Sequence, residues 1–351
     1  MEERQMKKLI ALLLALMMVL VCVSALAADG DPQVGDGNGE KVMYQFNADG
    51  IVTLTKSYTK QGDTNAVIPA DVLKFGIEGD HVENATNNNM DIPAATIADV
   101  TVNEGDEKAT ISIVLPTYTT VGEYFYNITE TDTGVAGVTY LGDTIVMKVQ
   151  VFWNPDTKAL DRYVTFRIGS QKIDGFTNTY EAGTLTVSKT VEGNMGDTNK
   201  EWNFTVVFSA PEGDTVMGDI TTSATGDATA PTTIAAGDDG WSTTKTSTFK
   251  LVSGQSVKFS NIPQGVSYTV SETEAGLNGY VTKVGDTELK KSTDTVSGEI
   301  AAHEDDTVAV KNTKNVDIDT GVTLDSTVYM MIMALALAGF VVLKIRRREE
   351  N

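Results

Sequence analysis

The sequence predicts an all-β protein folded as two tandem sandwiches, with one apolar segment before them and one apolar helix after them. Three observations carry this. From Lys41 to Asn315, short alternating runs such as TISIVL, TIVMKVQVFW, VTFRI, TLTVSKTV, NFTVVF and YTVSET are separated by Gly, Asn and Asp turns. A period of two is the mark of strands with one buried face. This stretch is about 275 residues, too long for one sandwich of roughly 100–150, and predicts two immunoglobulin-like domains. The third observation is that uncharged apolar runs stand only at the two ends.

The elements follow in chain order. Residues 1–28 are expected to be a signal peptide: Arg4, Lys7 and Lys8 precede the apolar run LIALLLALMMVLVCV, and Ala25 and Ala27 have the small-residue spacing that directs cleavage after Ala27 or Ala28. Cys22 lies inside that run behind Val21, without the small residues that precede a lipidated cysteine. Residues 29–40 (DGDPQVGDGNGE) have no hydrophobic period and are expected to be a flexible leader. Their acids loosely suggest a calcium loop, but Val34 occupies the glycine position and Pro32 interrupts it. Residues 41–180 are assigned to the first sandwich and 181–315 to the second, one strand ending at Tyr180 and the next beginning at Thr184. Residues 316–327 form a linker. Val328–Leu343 is expected to span a membrane, and 344–351, with Lys344, Arg346, Arg347 and Arg348, to stay in the cytoplasm. Everything upstream is then outside the cell.

Charge and cysteine content exclude several functions. The formal net charge is −21; setting aside residues 1–28 (+1) and 344–351 (+2) leaves −24 for the outer part. Such a surface repels nucleic acid. The single cysteine, Cys22, is removed with the signal peptide, so any covalent reinforcement must come from something other than a disulfide. His81 and His303 stand in unrelated contexts, and no metal-ligand spacing or phosphate-binding glycine loop occurs. No metal or cofactor is expected, and an enzyme acting on an external substrate is the least favoured class.

The strands carry one unusual pattern. Alternate residues share a face, so Val52, Leu54, Lys56 and Tyr58 point one way, as do Tyr124, Tyr126, Ile128 and Glu130, and Phe176, Asn178 and Tyr180. The second half repeats this with Leu185, Val187, Lys189 and Val191, with Tyr268, Val270 and Glu272, and with Val308, Val310 and Asn312. A lysine, a glutamate and an asparagine therefore point inward twice, in the same order, separated by 74 and 48 residues and then by 83 and 40. One inward lysine is ordinarily a strand-end residue whose ammonium reaches water. Two matching triples suggest a purpose. Buried unpaired charge is costly, so such a lysine and glutamate tend toward neutral forms sharing a proton. A neutral lysine is a nucleophile, and a protonated glutamate can polarise the asparagine carbonyl and shuttle protons as ammonia leaves. The product is a Lys–Asn amide cross-link.

These residues resemble a known family. TLTKSYTK, GEYFYNITET and FTNTY resemble the streptococcal pilin isopeptide-linkage domain over 41–180. TLTVSKTV, YTVSETE and VKNTKN resemble a collagen-adhesin B-type or pilin domain over 181–315. The resemblance implies Lys56–Asn178 and Lys189–Asn312 bonds assisted by Glu130 and Glu272. It also implies a Gram-positive surface protein built as a pilin or stalk subunit, with a sortase and other pilin subunits as partners. The tail resembles a sortase sorting signal, with Thr320–Gly321 as the bond to be cleaved, although Asp317 and Ile318 stand where that signal has leucine and proline. The alternative at this end is a protein that simply stays in the membrane. Lys158 in FWNPDTK is the one loosely similar site for a polymerising lysine, and Asn-Pro-Asp there reads as a hairpin turn. The alternative function is an adhesin for a host or matrix ligand; its largest candidate insertion, Glu212 to Asp239, reads as a long surface loop.

Overall fold

The structure, a computed structural model, describes residues 50–301, 305–316 and 326–349. The first half of the body contains β1 (Ile51–Gly62), β2 (Asp71–Glu83), β3 (Thr96–Ile97), β4 (Val100–Val102), β5 (Lys108–Val114), β6 (Gly122–Thr131), β7 (Val138–Thr139), β8 (Ile145–Asn154), β9 (Ala159–Ile168) and β10 (Gln171–Ile173). A long strand, β11 (Gly175–Glu192), follows. The second half adds β12 (Trp202–Ser209), β13 (Ile220–Ala224), β14 (Thr233–Ile234), β15 (Thr244–Leu251), β16 (Ser256–Pro263), β17 (Ser267–Glu272), β18 (Val281–Val284), β19 (Thr287–Leu289), β20 (Val296–Glu299) and β21 (Asp305–Thr313). One helix, α1 (Ser326–Glu349), ends the described chain. The body is all-β.

A sheet of six strands, β10-β9-β8-β6-β2-β4, faces β1, β5, β3 and the first part of β11. A sheet of four, β15-β12-β17-β20, faces the rest of β11 with β16, β13, β14, β21 and β18. Alternation fills the space between each pair of sheets. Tyr124, Tyr126, Ile128, Met147 and Val149 meet Leu54 and Ile113 in one core. Trp202, Phe204, Val206 and Phe208 meet Leu185, Val187, Phe259 and Val310 in the other.

Two local expectations are corrected. The chain does not break between Tyr180 and Thr184: β11 runs unbroken through both cores, pairing in parallel with β1 over 175–182 and with β21 over 184–192. Ala182 and Gly183 look like a turn in sequence, yet here they fill a crowded crossing where β16 also pairs, with a register shift between Gly183 and Leu185. The segment from Glu212 to Asp239 is also more than a loop. It contains β13 and β14 at a sheet edge, and Val216, Ile220, Ile234 and Ala236 are buried in the second core. By contrast, Asn154-Pro-Asp does form a β8–β9 hairpin turn, with Asn154 Oδ1 accepting from the Asp156 N–H at 2.9 Å and Lys158 left-handed at φ 53°.

The crossing of the two halves is tied by Asn261, buried and left-handed at φ 60°. Its backbone N–H donates to Asp63 Oδ2 at 2.7 Å and its amide donates to the Asp219 carbonyl at 2.8 Å. Its Oδ1 accepts from the Val67 N–H at 3.0 Å and from the Tyr180 hydroxyl at 3.2 Å. One residue thus satisfies polar groups from three segments, the β1–β2 connection, β11 and the stretch before β13, that burial would otherwise leave unpaired. Helix α1 includes Thr327–Arg348, which is long and apolar enough to cross a membrane. It continues past Leu343 through Lys344 and the arginines, so the basic tail is helical.

Candidate functional site

The alternation of β1, β6 and β11 delivers Lys56, Glu130 and Asn178 to one point, each with its side chain out of solvent. Lys56 Nζ lies 2.9 Å from Glu130 Oε1 and 3.1 Å from Oε2. The Asn178 amide donates to Glu130 Oε1 at 3.0 Å. In the second core, β11, β17 and β21 bring together Lys189, Glu272 and Asn312 in the same way. Lys189 Nζ is 2.5 Å from Glu272 Oε2, and the Asn312 amide donates to Glu272 Oε1 at 2.6 Å. All six residues expected to react therefore meet, three and three.

The register explains why the sites match. Asn178 stands opposite Tyr58, two residues beyond Lys56; Asn312 stands opposite Val191, two residues beyond Lys189. In both cases lysine and asparagine occupy neighbouring parallel strands on the same face, and the facing sheet supplies the glutamate between them. Parallel pairing between the strand that opens a sandwich and the one that closes it is what makes this contact available. β11 serves both sites, giving Asn178 to the first and Lys189 to the second.

Aromatic walls enclose the amines. Lys56 Nζ is 4.2 Å from the centroid of the Phe176 ring, and Lys189 Nζ is 4.4 Å from that of Trp202. Burial pushes both lysines down to about 8, with the attraction of Glu130 or Glu272 opposing only part of that effect. At pH 7 such an amine is neutral about a tenth of the time, several hundredfold more than an exposed lysine. An amine that burial makes partly neutral and a carboxamide are thus both held against one carboxylate, away from water. One further group was not foreseeable from side-chain patterns: the Leu141 N–H donates to Glu130 Oε2 at 2.8 Å and to Asn178 Oδ1 at 3.1 Å. Ala27, Ala28, Thr320 and Gly321 lie outside the described residues.

The chain is similar to a streptococcal pilin. The pilin of Streptococcus pyogenes serotype M1 is 27% identical over 308 residues, which cover 82% of this chain and 88% of that protein. The crystal structure of the major pilin from Streptococcus pyogenes matches with a TM-score of 0.55 at 24% identity, over 77% of this chain and all of that one. At that identity the match establishes a shared fold. A shorter similarity, 32% over 141 residues, links 40% of this chain to 18% of the pilus tip adhesin Cpa of Streptococcus pyogenes. Residues 183–314 match a domain of unknown function, DUF7601.

Proposed function

We propose that this protein is a structural subunit of a cell-surface pilus or stalk, whose two sandwiches are each closed by a self-formed amide between a lysine and an asparagine. The observation that carries the reading is one geometry found twice: a buried glutamate bridging a buried lysine and a buried asparagine on adjacent parallel strands. The similarity to a pilin over most of both chains supports the assembly role.

The reaction needs no external reagent. The neutral amine of Lys56 or Lys189 adds to Cγ of Asn178 or Asn312, a new C–N bond forms, the old C–NH₂ bond breaks, and ammonia leaves. The glutamate takes the proton from the attacking amine and returns it to the departing nitrogen. Each site turns over once, on its own chain, which distinguishes it from an enzyme. The remaining parts fit an exported subunit: a signal peptide cut near Ala27 or Ala28, a helix that anchors the chain in the membrane, and Thr320–Gly321 as the bond through which a sortase would pass it to the cell wall or to other pilin subunits. A second reading, an adhesin binding a host or matrix ligand, is favoured by the local similarity to a pilus tip adhesin.

The test is the intact mass of the purified protein. The reading requires the loss of two ammonia molecules, about 34 Da in total. Glu130→Ala and Glu272→Ala should each restore one. A wild-type mass equal to that of the plain mature sequence rules the cross-links out.

A further inference from the structure

The two sites differ in their main-chain surroundings. In the first, the Leu141 N–H is shared between Glu130 Oε2 and Asn178 Oδ1. In the second, Asn312 Oδ1 is buried and accepts no hydrogen bond among the described residues. We propose that the Leu141 N–H is the oxyanion donor of the first cross-link, so that the Lys56–Asn178 bond forms faster than the Lys189–Asn312 bond. The inference rests on the cross-linking proposed above.

When Lys56 adds to Cγ of Asn178, the carbonyl electron pair moves onto Oδ1. A donor already aimed at that atom meets the charge without reorganising. The pair then returns to re-form the carbonyl as ammonia is expelled with the proton relayed by Glu130. At the second site, Glu272 accepts from the Asn312 amide nitrogen, and Asn312 Oδ1 has no donor among the described residues, so the charge that develops there meets no hydrogen bond already in place.

The position of Leu141 is built, not incidental. Val138 and Thr139 pair with Tyr180 and Thr179 of β11, which sets the register of the segment leading to Leu141. Gly137, at φ 77°, makes the approach possible, since a Cβ there would meet the Glu181 carbonyl oxygen at 2.6 Å. Beyond it, the Tyr140 hydroxyl donates to Asp71 Oδ2 at 2.7 Å and the Thr133 hydroxyl donates to Asp71 Oδ1 at 2.8 Å. Asp71 is buried at the start of β2. Leu141 is catalytic in this account because its N–H touches a reacting atom. Tyr140, Thr133 and Asp71 are positioning residues that act through it.

The experiment is cell-free synthesis of the full chain with detergent, quenched in acid denaturant at intervals, followed by mass spectrometry of the two cross-linked peptide pairs. In the wild type the first bond should form at least about tenfold faster than the second. Replacing the Tyr140–Leu141 amide by an ester removes the donor but keeps the leucine side chain. It should slow the first bond by about 10- to 100-fold and leave the second unchanged. Tyr140→Phe should slow the first bond, and in the ester background it should add no further slowing, whereas a merely structural role would add to it. Equal rates for the two bonds, or an ester chain that forms the first at the wild-type rate, would overturn the inference while leaving the cross-links intact. Absence of both bonds in the wild type would overturn the proposed function together with it.

Discussion

Removing the electrophile at one site gives the most direct estimate of what a cross-link contributes. Asn178→Ala leaves the Lys56–Glu130 pair in place and deletes the carboxamide that would be attacked, together with its hydrogen bonds to Glu130 and the Leu141 N–H. The proposed bond from Lys56 to Asn178 would close a loop of about 120 residues, and constraining such a loop in the unfolded chain is worth about 5 kcal/mol on the chain-entropy account. For a cooperative unit of this size, with a shift of a few degrees per kcal/mol, the melting temperature should fall by about 10–20 °C. Because the cross-link restricts the unfolded state, its loss should also steepen the dependence of stability on denaturant, as a longer free chain exposes more surface. Both quantities come from calorimetry and urea unfolding of the wild type and the variant at pH 7, after mass spectrometry has shown one ammonia retained. A fall of less than about 3 °C with an unchanged denaturant slope would mean that no cross-link at this site constrains the unfolded chain.

Two further predictions follow from buried groups. In the double variant Asn178→Ala, Asn312→Ala, where both lysines stay free, stability should rise with pH between about 8 and 10. Lys56 and Lys189 lose their protons near pH 8 when folded but near 10.5 when unfolded, so in that window the unfolded state binds more protons. Above pH 10 the trend should reverse, because burial holds the Tyr58, Tyr140 and Tyr180 phenols protonated in the fold after they ionise in the unfolded chain. Urea midpoints measured from pH 7 to 11 check this, and a flat profile up to pH 10 contradicts the burial of the amines. Asn261→Ala should destabilise the protein by about 3 kcal/mol, because it leaves several buried partners unpaired and puts an alanine in a left-handed conformation. Asn261→Gly should recover only the backbone part, as read from the same urea midpoints.

Side-chain patterning made the residues of the two buried clusters legible. Lys56, Lys189, Asn178 and Asn312 are polar residues at positions where alternation demands apolar ones, and the structure buries all four. Glu272 is found the same way. The aromatic wall at Phe176 was half visible, being two residues from Asn178 on the same face. The continuity of β11 was hidden because Ala182 and Gly183 carry the composition of a turn, and only the three strands packed around them keep them extended. The buried strands within 212–239 were hidden by residues that favour loops; Val216, Ile220 and Ile234 are too sparsely spaced to show a period. Leu141 left no trace at all. Its contribution is a backbone N–H, which every residue but proline carries, and only the fold says where it is aimed.

The unbroken β11 changes what a pull on the two ends would meet. With both amides formed, a force entering through β1 passes at Lys56 into Asn178, travels along β11 to Lys189, and leaves through Asn312 into β21. Of all the chain between Lys56 and Asn312, only the stretch from Asn178 to Lys189 lies in that line. Those eleven steps are already extended strand, spanning roughly 36 Å at about 3.3 Å each. The rest of the polypeptide hangs beside the line as slack that tension cannot draw out, so the subunit would behave less like a folded spring than like a chain of two closed links.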